Sequence, residues 1–241
     1  MQPPNVANPV STTSTLLYRL TSITDRLDFA ALFAKPQAVE VELGCGDGSF
    51  LVDYARLHPE RNFLGVERLL GRIRKLDRKG RRAGLANLAG LRIEAGYCLE
   101  YLLPPGSVAA LHVYFPDPWP KKRHHRRRLV NERFPDLARR ALAPNGVVYL
   151  RTDHADYFEQ MNAVFAGHPG FRPAATPGEL GSVPTDFESD FQVKGIRTWH
   201  AAFAKVPSGE TSDAGSNVND RAAAVAGVWP GRAPAPGEPQ A

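Results

Sequence analysis

The chain has 241 residues, 43% of them hydrophobic, with 30 Lys and Arg against 25 Asp and Glu. That size and apolar content suit one domain with a sizeable core plus terminal segments. The cationic surplus permits a polyanionic partner without establishing one. The two cysteines, Cys45 and Cys98, form no CxxC pair and no zinc spacing, so neither a disulfide framework nor a metal site is expected. No run is long and apolar enough to span a membrane. The N-terminus lacks the basic start and apolar run of a signal peptide, so a cytoplasmic location is expected.

Residues 1–15 are mostly Pro, Asn, Ser and Thr and read as disordered. Residues 16–206 carry the apolar pattern of the domain, with 16–35 as an N-terminal arm or helix. Residues 207–241 turn to Pro, Gly, Ala and Ser, a disordered tail. Within the domain Ala38–Leu43 reads as a buried strand, followed by glycine-rich residues 44–48 and a helix over Ser49–Leu57. Asn62–Glu67 is a second strand and Arg68–Ala83 a second helix. Leu91–Ala95 reads as a short third strand and Val108–Phe115 as a fourth. Phe134–Leu142 is helical, with Pro135 tolerated in the first turn. Asn145-Gly146 signals a turn before the strand Val147–Arg151. Ala155–Phe165 is helical again, and Gly195–Phe203 is a late strand. This alternation predicts an α/β fold, a mostly parallel sheet with helices on both faces.

The first strand runs into Glu42-Leu43-Gly44-Cys45-Gly46-Asp47-Gly48. Glycines there allow a sharp turn and close approach of a ligand to the backbone and to the helix N-terminus that follows. The spacing is G-x-G-x-G rather than G-x-G-x-x-G, which weakens a pyrophosphate reading, and many such turns hold glycine for structural reasons alone. Glu67 ends the second strand, where a carboxylate can accept both hydroxyls of an adenosine ribose. Glu42, just inside the turn, can face a sulfonium or an amine. Together they fit S-adenosylmethionine better than NAD, whose phosphates are negative.

The fourth strand leads into Tyr114-Phe115-Pro116-Asp117-Pro118-Trp119-Pro120, a stiff acid-and-aromatic loop at the ligand-binding edge of such sheets. It reads either as a substrate platform or as a Pro-rich turn with a packing Trp. Six of the next eight residues are permanently cationic: Lys121, Lys122, Arg123, Arg126, Arg127 and Arg128. Beside an active site their natural partner is a phosphate backbone; otherwise they form a solvated loop. Arg68, Arg72, Lys75, Lys79 and Arg82 share one face of the preceding helix, with Asp77 its lone acid. Arg151-Thr152-Asp153-His154 ends the fifth strand. Thr185-Asp186-Phe187-Glu188 offers acids for the guanine edge or, more blandly, a helix cap.

Taken together, these residues resemble the bacterial tRNA (guanine-N7-)-methyltransferases over about Val39 to Phe203. The most specific part is Phe115-Pro116-Asp117-Pro118-Trp119 followed by Lys121, Lys122, Arg123, His124 and Arg127-Arg128-Leu129-Val130. The resemblance implies a Rossmann-like class I methyltransferase fold, S-adenosylmethionine as methyl donor and the variable-loop guanosine, position 46, of tRNA as target. It implies that Glu42, Gly44, Gly46 and Glu67 bind the donor, that Asp117 sits between donor and guanine as the catalytic residue, and that Lys121, Asp153 and Thr185 to Glu188 contact substrate. Lys122, Arg123, Arg126, Arg127 and Arg128 would hold the tRNA backbone. The family's acid near the adenine is replaced here by Tyr97, which would hold adenine by stacking or leave it to backbone groups. No metal is implied, and the chain is expected as a monomer or homodimer. Competing readings are another S-adenosylmethionine-dependent RNA methyltransferase and a non-catalytic RNA-binding protein on the same scaffold.

Overall fold

The computed structural model describes residues 15–207, so the expected disordered ends lie outside the described residues. The strands are β1 Leu17–Tyr18, β2 Val39–Leu43, β3 Asn62–Val66, β4 Leu88–Leu91, β5 Val108–Tyr114, β6 Leu142–Thr152, β7 Phe171–Ala174 and β8 Trp199–Lys205. The helices are α1 Phe29–Leu32, α2 Ser49–Leu57, α3 Leu70–Arg82, α4 Ala95–Tyr97, α5 Phe134–Ala141, α6 Ala155–Ala166, α7 Gly178–Gly181 and α8 Asp186–Val193. One sheet holds all eight strands in the order β1-β4-β3-β2-β5-β6-β8-β7. Pairing is parallel from β1 to β6, and β8 runs antiparallel between β6 and β7.

All five residues of β2 are buried, as expected of a strand covered on both faces. Its side chains alternate. Val39, Val41 and Leu43 join the core formed with α5 and α6 through Phe134, Ala138, Met161 and Phe165. The opposite face packs on Phe50, Leu51 and Tyr54 of α2 and on Ile73 and Leu76 of α3. From β2 the chain moves outward through β3 and β4, then returns to β5 on the other side of β2. The carboxyl ends of β2 and β5 therefore flank the point where the strand order reverses, the usual ligand crevice of an open α/β sheet.

The third strand lies three residues earlier than its expected position at Leu91–Ala95. Gly90 is inside it, not before it, because a Cβ there would stand 2.8 Å from Leu17 Cδ2. A glycine that admits a close neighbour reads from sequence like a strand end. The fifth strand likewise begins earlier, at Leu142, and runs through the Asn145-Gly146 turn signal. The N-terminal arm pairs with the sheet edge: β1 lies parallel to β4. Asp77, the lone acid of α3, holds it, accepting from Thr15 Oγ1 at 3.0 Å and from Leu16 N at 2.7 Å. Among the described residues no helix is long and apolar enough to cross a membrane.

The third glycine of the 44–48 turn is a packing requirement. Gly48 has φ +78°, and a Cβ on it would meet Leu76 Cβ at 2.7 Å. Gly48→Ala should therefore destabilise the fold by roughly 2–4 kcal/mol. Denaturant titration should show this as a lower midpoint with an unchanged slope.

Candidate active site

Two glutamates occupy the same face of the central strand, two residues apart, with opposite surroundings. Glu40 is paired: Arg61 Nη1 donates to Oε1 at 2.9 Å, and His112 Nε2 lies 2.8 Å from Oε2. Burial alone would raise its pKa, but His112 and Arg61 outweigh that and hold it below 4.5. Glu42 is 3% exposed, and its Oε2 has no hydrogen-bond partner among the described residues. Burial pushes its carboxyl up to about 8, opposed by Arg151 and reinforced by Asp47 and Glu67. A buried carboxylate oxygen left without a donor is costly unless a cation or a donor comes to meet it.

Glu42 lines a cavity of about 290 Å³ together with Gly44, Gly46, Asp47, Phe115, Asp117 and Asp186. A second cavity, about 520 Å³, adjoins it and is lined by Val66, Glu67, Leu69, Ile93, Glu94 and Trp119 among others. Gly44, Arg72, Tyr114, Phe115 and Asp117 belong to both, so the two form one cleft with Asp117 at the junction. Gly44, Gly46 and Gly48 all have positive φ, which lets the turn double back. Its Gly44 and Cys45 N–H groups donate to Val66 O, joining it to the end of β3. Glu67 is buried and accepts from Leu69 N at 2.7 Å through Oε1. The floor of the cleft is thus acidic. Glu42 could hold the positive end of a cationic donor there and Glu67 a sugar.

Asp117 is exposed and makes no hydrogen bond among the described residues. The loop that carries it is fixed at both ends. Phe115 and Trp119 have φ of 49° and 43°, left-handed values that cost non-glycine residues about 1–3 kcal/mol each. Phe115 N donates to Arg151 O at 2.8 Å. Arg128 Nε donates to Pro118 O at 2.7 Å, and its other nitrogens reach Gln160 and Asp156. Arg128 is 1% exposed and lies over the Tyr157 ring at 4.7 Å. It was expected on the tRNA face; the structure instead turns it inward, where its fork braces the loop that carries Asp117.

Segment 178–193 covers the cleft from the β6 side. Arg151, 2% exposed, donates to Glu188 Oε2 at 2.6 Å and to the carbonyls of Leu180 and Val183, and lies 4.1 Å from the Tyr114 ring centroid. Thr185 caps α8 by accepting from Glu188 N, while Glu188 Oε2 accepts from Thr185 N. Those two side chains are committed to holding the segment, although Thr185 also lines the cleft. Asp186 and Phe187 point into it. Asp186 accepts from Ser49 Oγ at 2.6 Å, and Phe187 is 46% exposed beside Phe115.

The rim is basic. Arg68, Arg72 and Lys75 of α3 and its approach line the cleft and are exposed. Lys121, Lys122, Arg123, Arg126 and Arg127 are exposed too, in and beside a 3₁₀ turn at Lys122–Arg127. Arg127 lies over Trp119 at 5.0 Å. Lys121 and Asp153 line neither cavity. Nor does Tyr97, expected at the adenine: its hydroxyl donates to Ile23 O, and its ring meets Tyr101. Because β4 ends at Leu91, the acid that reaches the cleft after it is Glu94. The local cue was an acid three residues past the true strand end.

Residues 36–201 match the model of a family described as putative methyltransferase. The chain is 38% identical over 183 residues to the tRNA (guanine-N(7)-)-methyltransferase of Nitrosococcus oceani, covering 76% of this chain and 78% of the relative. It is 40% identical over 178 residues to the protein of that name from Leifsonia xyli, covering 73% and 78%. In fold it is similar to the 16S rRNA methyltransferase KamB, with TM-score 0.53 at 19% identity over 74% of this chain and 93% of that one. The sheet is therefore the Rossmann-like class I methyltransferase sheet.

Between pH 4.5 and about 8, Glu42 keeps its proton in the ligand-free fold and has lost it in the unfolded chain. Its burial therefore destabilises the ligand-free protein increasingly as pH rises through that window. Glu42→Gln should remove this contribution, raising the melting temperature at pH 8 while weakening S-adenosylhomocysteine binding. Binding of a cation should expel the Glu42 proton, so wild-type affinity should rise with pH, by up to about tenfold per unit. Calorimetry in buffers of different ionisation enthalpy should detect the proton, and Glu42→Gln should not release it. Arg128→Lys should lose the bracing fork and lower kcat at least tenfold while leaving S-adenosylhomocysteine affinity within about twofold.

Proposed function

The chain belongs to the tRNA (guanine-N(7)-)-methyltransferase family, and we propose that it methylates N7 of the variable-loop guanosine at position 46. The methyl donor is S-adenosylmethionine. The observation that carries the reading is the unpaired, buried Glu42 carboxylate on the floor of a cleft whose rim is cationic. That separation of sign suits a positive donor below and a phosphate backbone above.

When bound, S-adenosylmethionine supplies an electrophilic methyl carbon on a positive sulfur. Glu42 and Glu67 hold the donor's charge and ribose and so set where that carbon lies. Gly44 and Gly46 bring the backbone close to it. Guanine N7 carries a lone pair in the ring plane and needs no deprotonation before it attacks. The work left to the protein is alignment and exclusion of water. Asp117, where the two cavities meet, orients the guanine and stabilises the positive charge that develops on it, rather than acting as a base. Asp186 and Phe187 meet the edge and face of the base; Thr185 and Glu188 hold that segment in place. Lys121 and Asp153 meet the substrate at the mouth of the cleft. Lys122, Arg123, Arg126 and Arg127 hold the backbone, which positions the tRNA without reading its sequence.

Two measurements test this. Label from S-adenosylmethionine should enter an unmodified tRNA transcript with guanosine at position 46 and not the same transcript with adenosine there. Equal labelling of both would move the target nucleotide. Asp117→Asn should lose kcat by roughly 100-fold with no new pH dependence; a wild-type rate rising steeply at high pH would instead make Asp117 a base.

A further inference from the structure

A third cavity, of about 320 Å³, lies on the other side of Glu94 from the donor cleft and shares Glu94, Arg127 and Leu129 with it. Its aromatic wall is the pair Tyr97 and Tyr101, with ring centroids 4.8 Å apart. Tyr97 is held by its bond to Ile23 O at 2.8 Å, while Tyr101 is 46% exposed. Neither ring lines the donor cleft. Four arginines, Arg126, Arg127, Arg128 and Arg133, line the same cavity, and Arg128 is already committed to Asp156 and the Asp117 loop.

The acids in this cavity are spent. Glu94 turns its carboxylate to the N–H groups of Gly96 and Tyr97 at 2.9 and 2.6 Å. Glu100 is neutralised by Arg133 at 2.7 Å. Arg126 forms no ion pair among the described residues. Arg127 stands on the wall between this cavity and the donor cleft, steadied by Trp119. The cavity thus presents an exposed ring and two cations without acidic partners. A π-face beside guanidinium groups is the chemistry that takes an unpaired base and its phosphate.

We propose that this cavity is a subsite for a second, unpaired nucleotide of the same RNA whose guanine enters the donor cleft. The base stacks on Tyr101, and Arg127 holds the phosphate between the two nucleotides. Arg126 contacts the phosphate on the far side. The inference rests on the RNA methyltransferase reading above and adds a contact that positions the substrate without touching the reacting atoms.

The test is equilibrium binding of an unmodified tRNA transcript to the full chain saturated with S-adenosylhomocysteine, over a series of KCl concentrations. Tyr101→Ala should weaken binding about 5- to 100-fold, the range for losing one stacked base, with the salt slope unchanged. Tyr101→Trp should restore the affinity. Arg126→Ala should reduce the salt slope by about one. All three should bind S-adenosylhomocysteine like the wild type, which reports an intact fold. The subsite is overturned if Tyr101→Ala binds tRNA within twofold of wild type, or if its loss comes with a reduced slope that Trp does not rescue. A wild-type chain that binds S-adenosylhomocysteine but neither binds nor methylates tRNA would overturn the underlying reading and this subsite with it.

Discussion

Burial of two carboxylates on one face of the central strand is the constraint from which the rest of the site follows. β2 is covered on both sides, so Glu40 and Glu42 are almost wholly withdrawn from water. Glu40 is compensated by Arg61 and by His112, whose other ring nitrogen lies 2.8 Å from the Tyr114 hydroxyl. Glu42 is compensated only in part, by the field of Arg151. Arg151 is itself buried and must be satisfied, which it is by Glu188 and two carbonyls of segment 178–193. The element that closes the cleft is thus held down by the cation that faces its acidic floor. One buried acid is neutralised; the other keeps an oxygen without a partner among the described residues, and the fold bears that cost.

The same economy recurs around the reaction loop. Its backbone is strained at Phe115 and Trp119, and the strain persists because Arg128 and Arg151 O pin the loop from both sides. An arginine in a basic run was therefore diverted from the solvent face to hold geometry. Of the remaining cations of that run, Arg127 lines the cleft, as do Arg68, Arg72 and Lys75 from α3 and its approach.

Much of this was legible in the residues. The buried strand was legible from its apolar residues, and the glycine turn and Glu67 were legible at the strand ends that line the cleft. The prolines around Asp117 marked the rigid loop at the sheet's carboxyl edge. What was hidden depended on contacts distant in sequence. Arg128 looks like its neighbours until Asp156, Gln160 and Tyr157 of α6 are brought against it. The glycine in β4 concealed the strand's true end and with it the place of Glu94, so that Tyr97 was read at the adenine. Thr185 and Glu188 carried the capping pattern openly, but nothing local could say that Glu188 would also meet Arg151. Asp77 stood out as a lone acid on α3, and only the fold shows that it fastens the N-terminal arm.

The acidic floor also bears on what happens after the reaction. Methyl transfer from a sulfonium moves one positive charge from the donor to the base that receives the methyl group. On the proposed reading, in which Glu42 would face the sulfonium, the spent donor would have a weaker hold on the floor. On the same reading, the charge layout that admits the donor also favours its exchange once it is spent.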